Sequence, residues 1–227
     1  MSLVLHYHPL SSFCWKVLIG LYELEVPFEP RTVELGDPRA REAFARLWPT
    51  AKIPLLEDTG RGRIVPETSI MLEYVERHYA GGRRLLPEDP EQRLDARLWD
   101  RLFDHYVMAP QGRVVMAHFR GDAEAGAAER AGMRNAYPMI EARLAECEAA
   151  GRQWIAGDDF SLADCAAAPA LFYTTIMAPP GGEFPLVEAY LQRLMARPSV
   201  IRAVDGARPV FHMFPFHDEL PEEYRPA

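Results

Sequence analysis

The hydrophobic pattern changes its period after residue 82. Before that point, short apolar runs alternate with segments whose apolar positions recur every three or four residues, the signatures of strand and helix. "LVLHY" (Leu3 to Tyr7) reads as a buried strand and Cys14 to Leu24 as a helix. "FEPRTVEL" (Phe28 to Leu35) has strand character, with Pro30 placing it toward a sheet edge. Asp37 to Trp48 opens on Asp-Pro, an N-cap followed by a proline in the first helical position. "IPLLED" and "GRIV" read as short strands joined by a glycine-containing hairpin, and "PETSIMLEYVERHY" as an amphipathic helix stopped by "AGG". The predicted order is βαβαββα.

Beyond Gly82 the pattern is almost wholly helical. "GGRRLLPEDPEQ" reads as a connection, placed at residues 83–90. Arg93 to Phe119 is predicted as one long helix kinked at Pro110, and Glu124 to Ala150 as another. "SLADCAAAPALFYTTIM" is a third, apolar all round and therefore buried, with Ser161 and Asp164 at capping-box spacing. "PLVEAYLQRLMARP" is a fourth, followed by a short turn around Val200 to Val204. The proline- and aromatic-rich tail from Arg208 is expected to be irregular. The expected organisation is an α/β domain over residues 1–82 and an all-helical domain over residues 91–227, both of ordinary size.

Composition sharpens this picture. A 48% hydrophobic, 26% charged chain of 227 residues can bury a substantial core. Its formal charge of −8 argues against nucleic-acid or anionic-membrane partners, which require basic surfaces. Three scattered cysteines form no disulfide framework, which suits a reducing compartment. The first ten residues lack the basic and long apolar regions of a secretory leader, so a cytoplasmic protein is expected. Only two of the 25 basic residues are lysines, Lys16 and Lys52, and both fall inside motifs. His6 and His8 share a strand face but have no third ligand, so no metal site is expected. A Gly-rich phosphate loop and a G-x-S-x-G elbow are both missing.

Four segments carry a family resemblance. "SSFCWKV" resembles the "SSxC" and "SSCxWRV" turns of the serine-type glutathione transferases of the theta, delta and zeta classes. "AKIPLLED" resembles the segment that carries that family's cis-proline, and "VPETSIMLEYV" the start of its third helix. "IAGDDFSLADCAAAPAL" resembles its buried, capped helix. The motifs run in register from Leu3 to about Pro198. The resemblance implies a thioredoxin-like α/β N-terminal domain with a mixed sheet, an all-α C-terminal domain, glutathione as co-substrate and a homodimer.

The resemblance also implies roles for residues. Ile53-Pro54, if cis, turns the backbone of Ile53 outward to pair with the cysteinyl unit of glutathione like an added strand. Glu67 and Thr68 open a helix whose free N–H groups suit the γ-glutamyl carboxylate, with Glu67 near its ammonium. Lys52 would approach a peptide carboxylate or remain a solvated side chain. In the first turn the C-x-x-C spacing of thiol redox proteins reads Ser11-x-x-Cys14. Serine forms no mixed disulfide, but its O–H can donate to a bound thiolate. A free thiol has a pKa near ~8.5, and a hydrogen bond plus a helix dipole worth roughly 2–3 kcal/mol lowers it by about two units. Ser11 is the expected donor. Ser12, Tyr7 (which aligns with the catalytic tyrosine of other classes) and Cys14 are the alternatives, and either serine also suits a plain helix cap. The zeta motif has cysteine where Phe13 stands, and no cysteine occupies the beta-class position.

A small hydrophobic electrophile is expected beside the thiolate. Its wall would draw on Tyr106, Met108, Met116 and Phe119 of the long helix, and on Tyr173 and Met177 of the buried one. Phe211, Met213, Phe214 and Phe216 of the tail would form a lid, unless all of these are core. Two rival functions stay open: a glutathione-dependent thiol reductase or isomerase, the reductase using Cys14, and a non-catalytic binding scaffold.

Overall fold

A computed structural model describes residues 2–225. The N-terminal part is β1 (Leu3–Tyr7), α1 (Ser12–Glu23), β2 (Glu29–Thr32), α2 (Pro38–Leu47), β3 (Leu55–Asp58), β4 (Arg63–Val65) and α3 (Thr68–Tyr79). The four strands form one mixed sheet in the order β2-β1-β3-β4. β1 pairs parallel to β2 through the α1 crossover and antiparallel to β3, which pairs antiparallel to β4. The apolar run of β1 reflects its central place, buried among neighbours. β2 is exposed along its length, and Pro30 lies on this edge strand, where a missing N–H costs least. It is shorter than the 28–35 span expected from its pattern, because Leu35 begins the turn into α2 rather than pairing.

α1 is buried from Cys14 to Leu21 because it is packed between α3 and the helical part. Close approach of α1 and α3 requires Gly20: a Cβ there would lie 2.4 Å from the Leu72 side chain. At the far end of β3 the buried Asp58 carboxylate accepts hydrogen bonds from Tyr74 (2.7 Å), Tyr79 and the Arg61 N–H (3.1 Å). Burial alone would raise its pKa, but these donors hold it below the ordinary carboxylate value.

The C-terminal part begins with α4 (Pro90–Leu102), capped by Asp89, so helix starts before Arg93. It continues through a π-helical turn (Phe103–Met108) into α5 (Ala109–Arg120), which ends at the left-handed Gly121. The long helix is therefore distorted at a π turn that precedes Pro110: Pro110 lacks an N–H, and the widened turn accommodates its ring. The helix expected over 124–150 is two, α6 (Ala123–Gly132) and α7 (Tyr137–Ala149), separated by the 3₁₀ turn Met133–Ala136 just before Pro138. α8 (Leu162–Met177) and α9 (Pro185–Met195) lie where the pattern placed them. The turn expected at Val200 to Val204 is a ten-residue helix, α10 (Pro198–Ala207), whose Val200, Ala203, Val204 and Ala207 are buried at helical spacing. The tail carries only short 3₁₀ turns, at Arg208–Met213, His217–Glu219 and Glu222–Tyr224.

α8 is the axis of this part and packs against both α1 and α4. Trp15 of α1 meets Phe172 (5.0 Å) and Tyr173 (5.3 Å) of α8 and Phe211 of the tail (6.3 Å), joining the two parts through one aromatic cluster. A second joint is ionic: Arg197 binds Glu23 at the end of α1 through two 2.7 Å contacts, with its guanidinium 4.0 Å over Phe160. Among the described residues no helix is long and apolar enough to cross a membrane.

Candidate active site

The register of the sheet brings three of the sequence motifs to one end of the molecule. His6 is paired with Leu55, and Leu56 with Val65. The end of β1, the start of β3 and the end of β4 are therefore neighbours. From these three ends run the turn into α1, the Ile53-Pro54 dipeptide and the entry to α3.

At the first, Ser11 is the N-cap of α1. Its backbone is extended (φ −79°, ψ 122°) and its Oγ accepts from the Cys14 N–H at 3.4 Å. Such a cap uses a lone pair and leaves the O–H free to donate. Capping and donation to a thiolate are thus compatible. Ser12 is the first helical residue, and no acidic side chain occupies the first turn to offset the positive end of the helix dipole. The Trp15 indole N–H donates to Pro9 O at 2.5 Å and holds the turn in place. Both serines are half-buried, as is Tyr7, which packs against the core at the end of β1. Cys14 points the other way. It is fully buried and accepts the His8 N–H at 3.5 Å, and burial pushes its thiol up to about 12. A neutral, enclosed thiol is a packing group and a poor nucleophile.

At the second, the Ile53-Pro54 peptide is cis, in keeping with the motif. Lys52 is exposed, next to an open depression of about 410 Å³ lined by Gly36, Arg41, Glu42, Thr50 and Ala51. At the third, Glu67 has φ 67° and ψ 116°, a left-handed conformation unusual for a side-chain-bearing residue. The N-terminus of α3 has no side-chain cap, so its first N–H groups are unpaired by side chains among the described residues. Glu67 is exposed and Thr68 is buried.

The residues expected to line an electrophile pocket divide into two sets. Tyr106 on the π turn and Phe119 on α5 are exposed by 62% and 66%, and Met116 is also exposed. Met108, Tyr173 and Met177 are core, as are Phe211 and Phe214 of the tail, whereas Met213 is exposed. An aromatic series connects the two sets: Tyr173 to Phe214 (5.2 Å), Phe214 to Phe216 (5.6 Å), Phe216 to His118 (5.7 Å) and His118 to Phe119 (5.9 Å).

Behind the starts of α1 and α3 lies a buried polar cluster. Lys16 is completely buried and its Nζ reaches Asp100 Oδ1 (2.5 Å), Asp104 (2.9 Å) and Ser69 Oγ (3.0 Å). The signal was present as a lysine within the apolar helix "CWKVLIGL" and as two aspartates four residues apart on a core-facing helix.

A small sheet with helix N-termini and a cis-proline at one end, backed by a helical half, defines the glutathione-transferase-type fold. Family models for the N-terminal and C-terminal domains of glutathione S-transferase match residues 5–83 and 103–198. Glutathione S-transferase GstB of Escherichia coli K12 is 26% identical over 200 residues, covering 83% of this chain and 91% of its own. A glutathione S-transferase of Hyoscyamus muticus is 27% identical over 217 residues, with coverages of 90% and 99%. The solved structure of Ure2p in complex with glutathione superposes with a TM-score of 0.77 at 26% identity, covering 90% of this chain and 94% of that one. The chain belongs to the glutathione S-transferase family.

Proposed function

We propose that this protein is a glutathione transferase that joins the glutathione thiolate to a small hydrophobic electrophile. The observation that carries the reading is the alignment of Ser11, Ile53-Pro54 and the uncapped α3 end on three adjacent strands. Strands lie about 4.8 Å apart, so the three stations span roughly 10 Å, about the length of three extended residues. The γ-glutamyl carboxylate sits on the N–H groups of Thr68 and its neighbours, with the ammonium near Glu67. The cysteinyl backbone pairs with Ile53. The glycyl carboxylate lies toward Lys52 and the depression beside it. That arrangement brings the thiol to the N-terminus of α1, where Ser11 donates its O–H to the sulfur.

The ionised sulfur then attacks the electrophilic carbon. A C–S bond forms, and either a leaving group departs with its electron pair or, in an addition, the resulting anion is protonated. Tyr106 and Phe119 are the exposed aromatic surface available to the electrophile. Calorimetric titration with reduced glutathione at neutral pH tests the reading. One site per chain, with proton release, is expected. The absence of both heat and a melting shift would favour a binding scaffold that uses some other ligand.

The reading includes a homodimer. Ile70 of α3 and Leu94 and Leu98 of α4 are exposed large apolar side chains, and the Arg97–Glu73 pair (2.6 Å) ties the two helices together at this face. Leu98→Glu would bury a charge in such an interface and should convert the dimer to monomers in sedimentation velocity. A variant that remained dimeric would move the interface elsewhere.

A further inference from the structure

The strongest feature left without a role is the buried polar cluster between the two halves of the molecule. Lys16 lies one turn into α1, four residues after Ser12, and Ser69 is the second residue of α3, directly after Thr68. Their side chains meet: Lys16 Nζ donates to Ser69 Oγ at 3.0 Å. Ser69 in turn donates to Asp100 Oδ2 at 2.5 Å and accepts from Arg101, while Lys16 holds Asp104 at 2.9 Å and Asp100 at 2.5 Å. Arg101, partly exposed, closes the cluster against Asp100 and Asp104.

We propose that Lys16, Ser69, Asp100 and Asp104 are positioning residues that hold the N-terminal ends of α1 and α3 at a set separation, and thereby determine both glutathione affinity and thiol ionisation. The inference rests on the glutathione reading above. Its physical basis is geometric. The tripeptide is gripped at its γ-glutamyl end by α3 and at its sulfur by α1, so any drift between these helices stretches one contact or the other. Hydrogen-bond strength falls steeply with such misalignment. One buried hydroxyl and one buried ammonium join the helices behind the site, and two carboxylates of the long helix fix both from beneath.

The charges support a brace rather than a field. Two cations, Lys16 and Arg101, face two carboxylates, Asp100 and Asp104, so the cluster is neutral as a whole. The Cys165 thiol of α8 is also nearby, and burial pushes it far above its ordinary value and keeps it uncharged. Burial also raises Asp104, with Lys16 pulling it back toward the carboxylate form. Asp104 belongs to the π turn that turns Tyr106 out to solvent. One irregular turn thus anchors the brace on its inner side and offers an aromatic surface on its outer side, a placement typical of π turns at functional sites.

Ser69→Ala removes the shared hydroxyl and leaves every charge in place. It should weaken glutathione binding roughly tenfold and move the titration of the bound thiol upward by about one unit, as expected when the Lys16–Ser69 bond that joins the two helices is lost. The KM for the electrophile should stay within about twofold, since no contact to that substrate is touched. Calorimetry and the ultraviolet absorbance of the bound thiolate read these effects. Lys16→Met should weaken binding further and lower the melting temperature by leaving the two buried carboxylates to share the partly exposed Arg101. The neutral double variant Lys16→Met/Asp104→Leu then separates the roles. Recovered melting temperature with affinity still weak supports positioning. Recovered melting temperature with parental affinity and thiol titration would make the cluster merely structural and overturn the inference. Parental behaviour of Ser69→Ala would overturn it too and leave the transferase reading standing. Failure of the parent protein to bind glutathione would remove that reading and the inference with it.

Discussion

Replacing Ser11 with alanine should leave glutathione bound while slowing its conjugation at neutral pH by roughly a hundredfold, the scale seen when a single oriented donor is removed from a charge-stabilising site. Affinity is expected to survive because, on the proposed reading, Ile53, Thr68 and Glu67 would hold the rest of the tripeptide. The loss should depend on pH in a defined direction. On the proposed reading the parent protein would hold the bound thiol's pKa below its free value near ~8.5, and its rate should level off at lower pH. Without the donor the thiol titrates higher, and the variant's rate should climb with pH and approach the parent's in alkali. Ser11→Ala also removes an N-cap, at about 1 kcal/mol of stability, whereas Ser11→Gly loses the hydroxyl at only a few tenths. Both variants should share the kinetic defect and differ in melting temperature. Near-parental turnover would transfer the donor role to Ser12 or Tyr7.

The second large effect is on stability. Asp164→Ala should cost about 3–5 kcal/mol, or about 10 °C in melting temperature, because it strands several buried donors at once. The Asp164 carboxylate accepts from the Ser161 N–H (2.8 Å), the Ser161 O–H (2.8 Å), the Ile155 N–H (3.4 Å) and the Tyr190 O–H. It therefore joins the cap of α8, the loop before it and α9. Burial pushes its pKa up, a penalty these four donors oppose. Asp164→Asn keeps an acceptor and should lose less than alanine. Denaturant unfolding reads the difference, and a loss below about 1 kcal/mol would show that packing alone holds α8. The consequence reaches the candidate site, since Phe172 and Tyr173 of α8 support Trp15, which fixes the turn bearing Ser11.

Much of this was legible in the chain because it is local. Asp37-Pro38 caps and starts α2, Ser161 and Asp164 form the capping box of α8, and the apolar run of β1 marks a central strand. Each depends on residues within one turn of one another, so short-range sequence is sufficient. The misassigned segments share the opposite property. Val200 to Val204 is part of a helix because four apolar residues of α10 are covered by α1 and neighbouring elements, which no local signal announces. The break before Pro110 falls in the π turn rather than at the proline.

The candidate site divides along the same line. By itself the sequence determined which side chains are available: two serines at a helix start, an Ile-Pro dipeptide, an uncharged first turn, and a Glu-Thr pair at the head of α3. It also determined the family, because those motifs occur in order. Only the tertiary structure decided that Cys14 is enclosed while Ser11 is half-open, that Tyr106 and Phe119 face solvent while Met108 and Tyr173 are core, and that Lys16 meets two aspartates more than eighty residues away. The physical reason is that capping and strand periodicity are governed by neighbours along the chain, whereas burial, and with it the charge state of a thiol or the partner of an ammonium, is governed by what distant elements place on top.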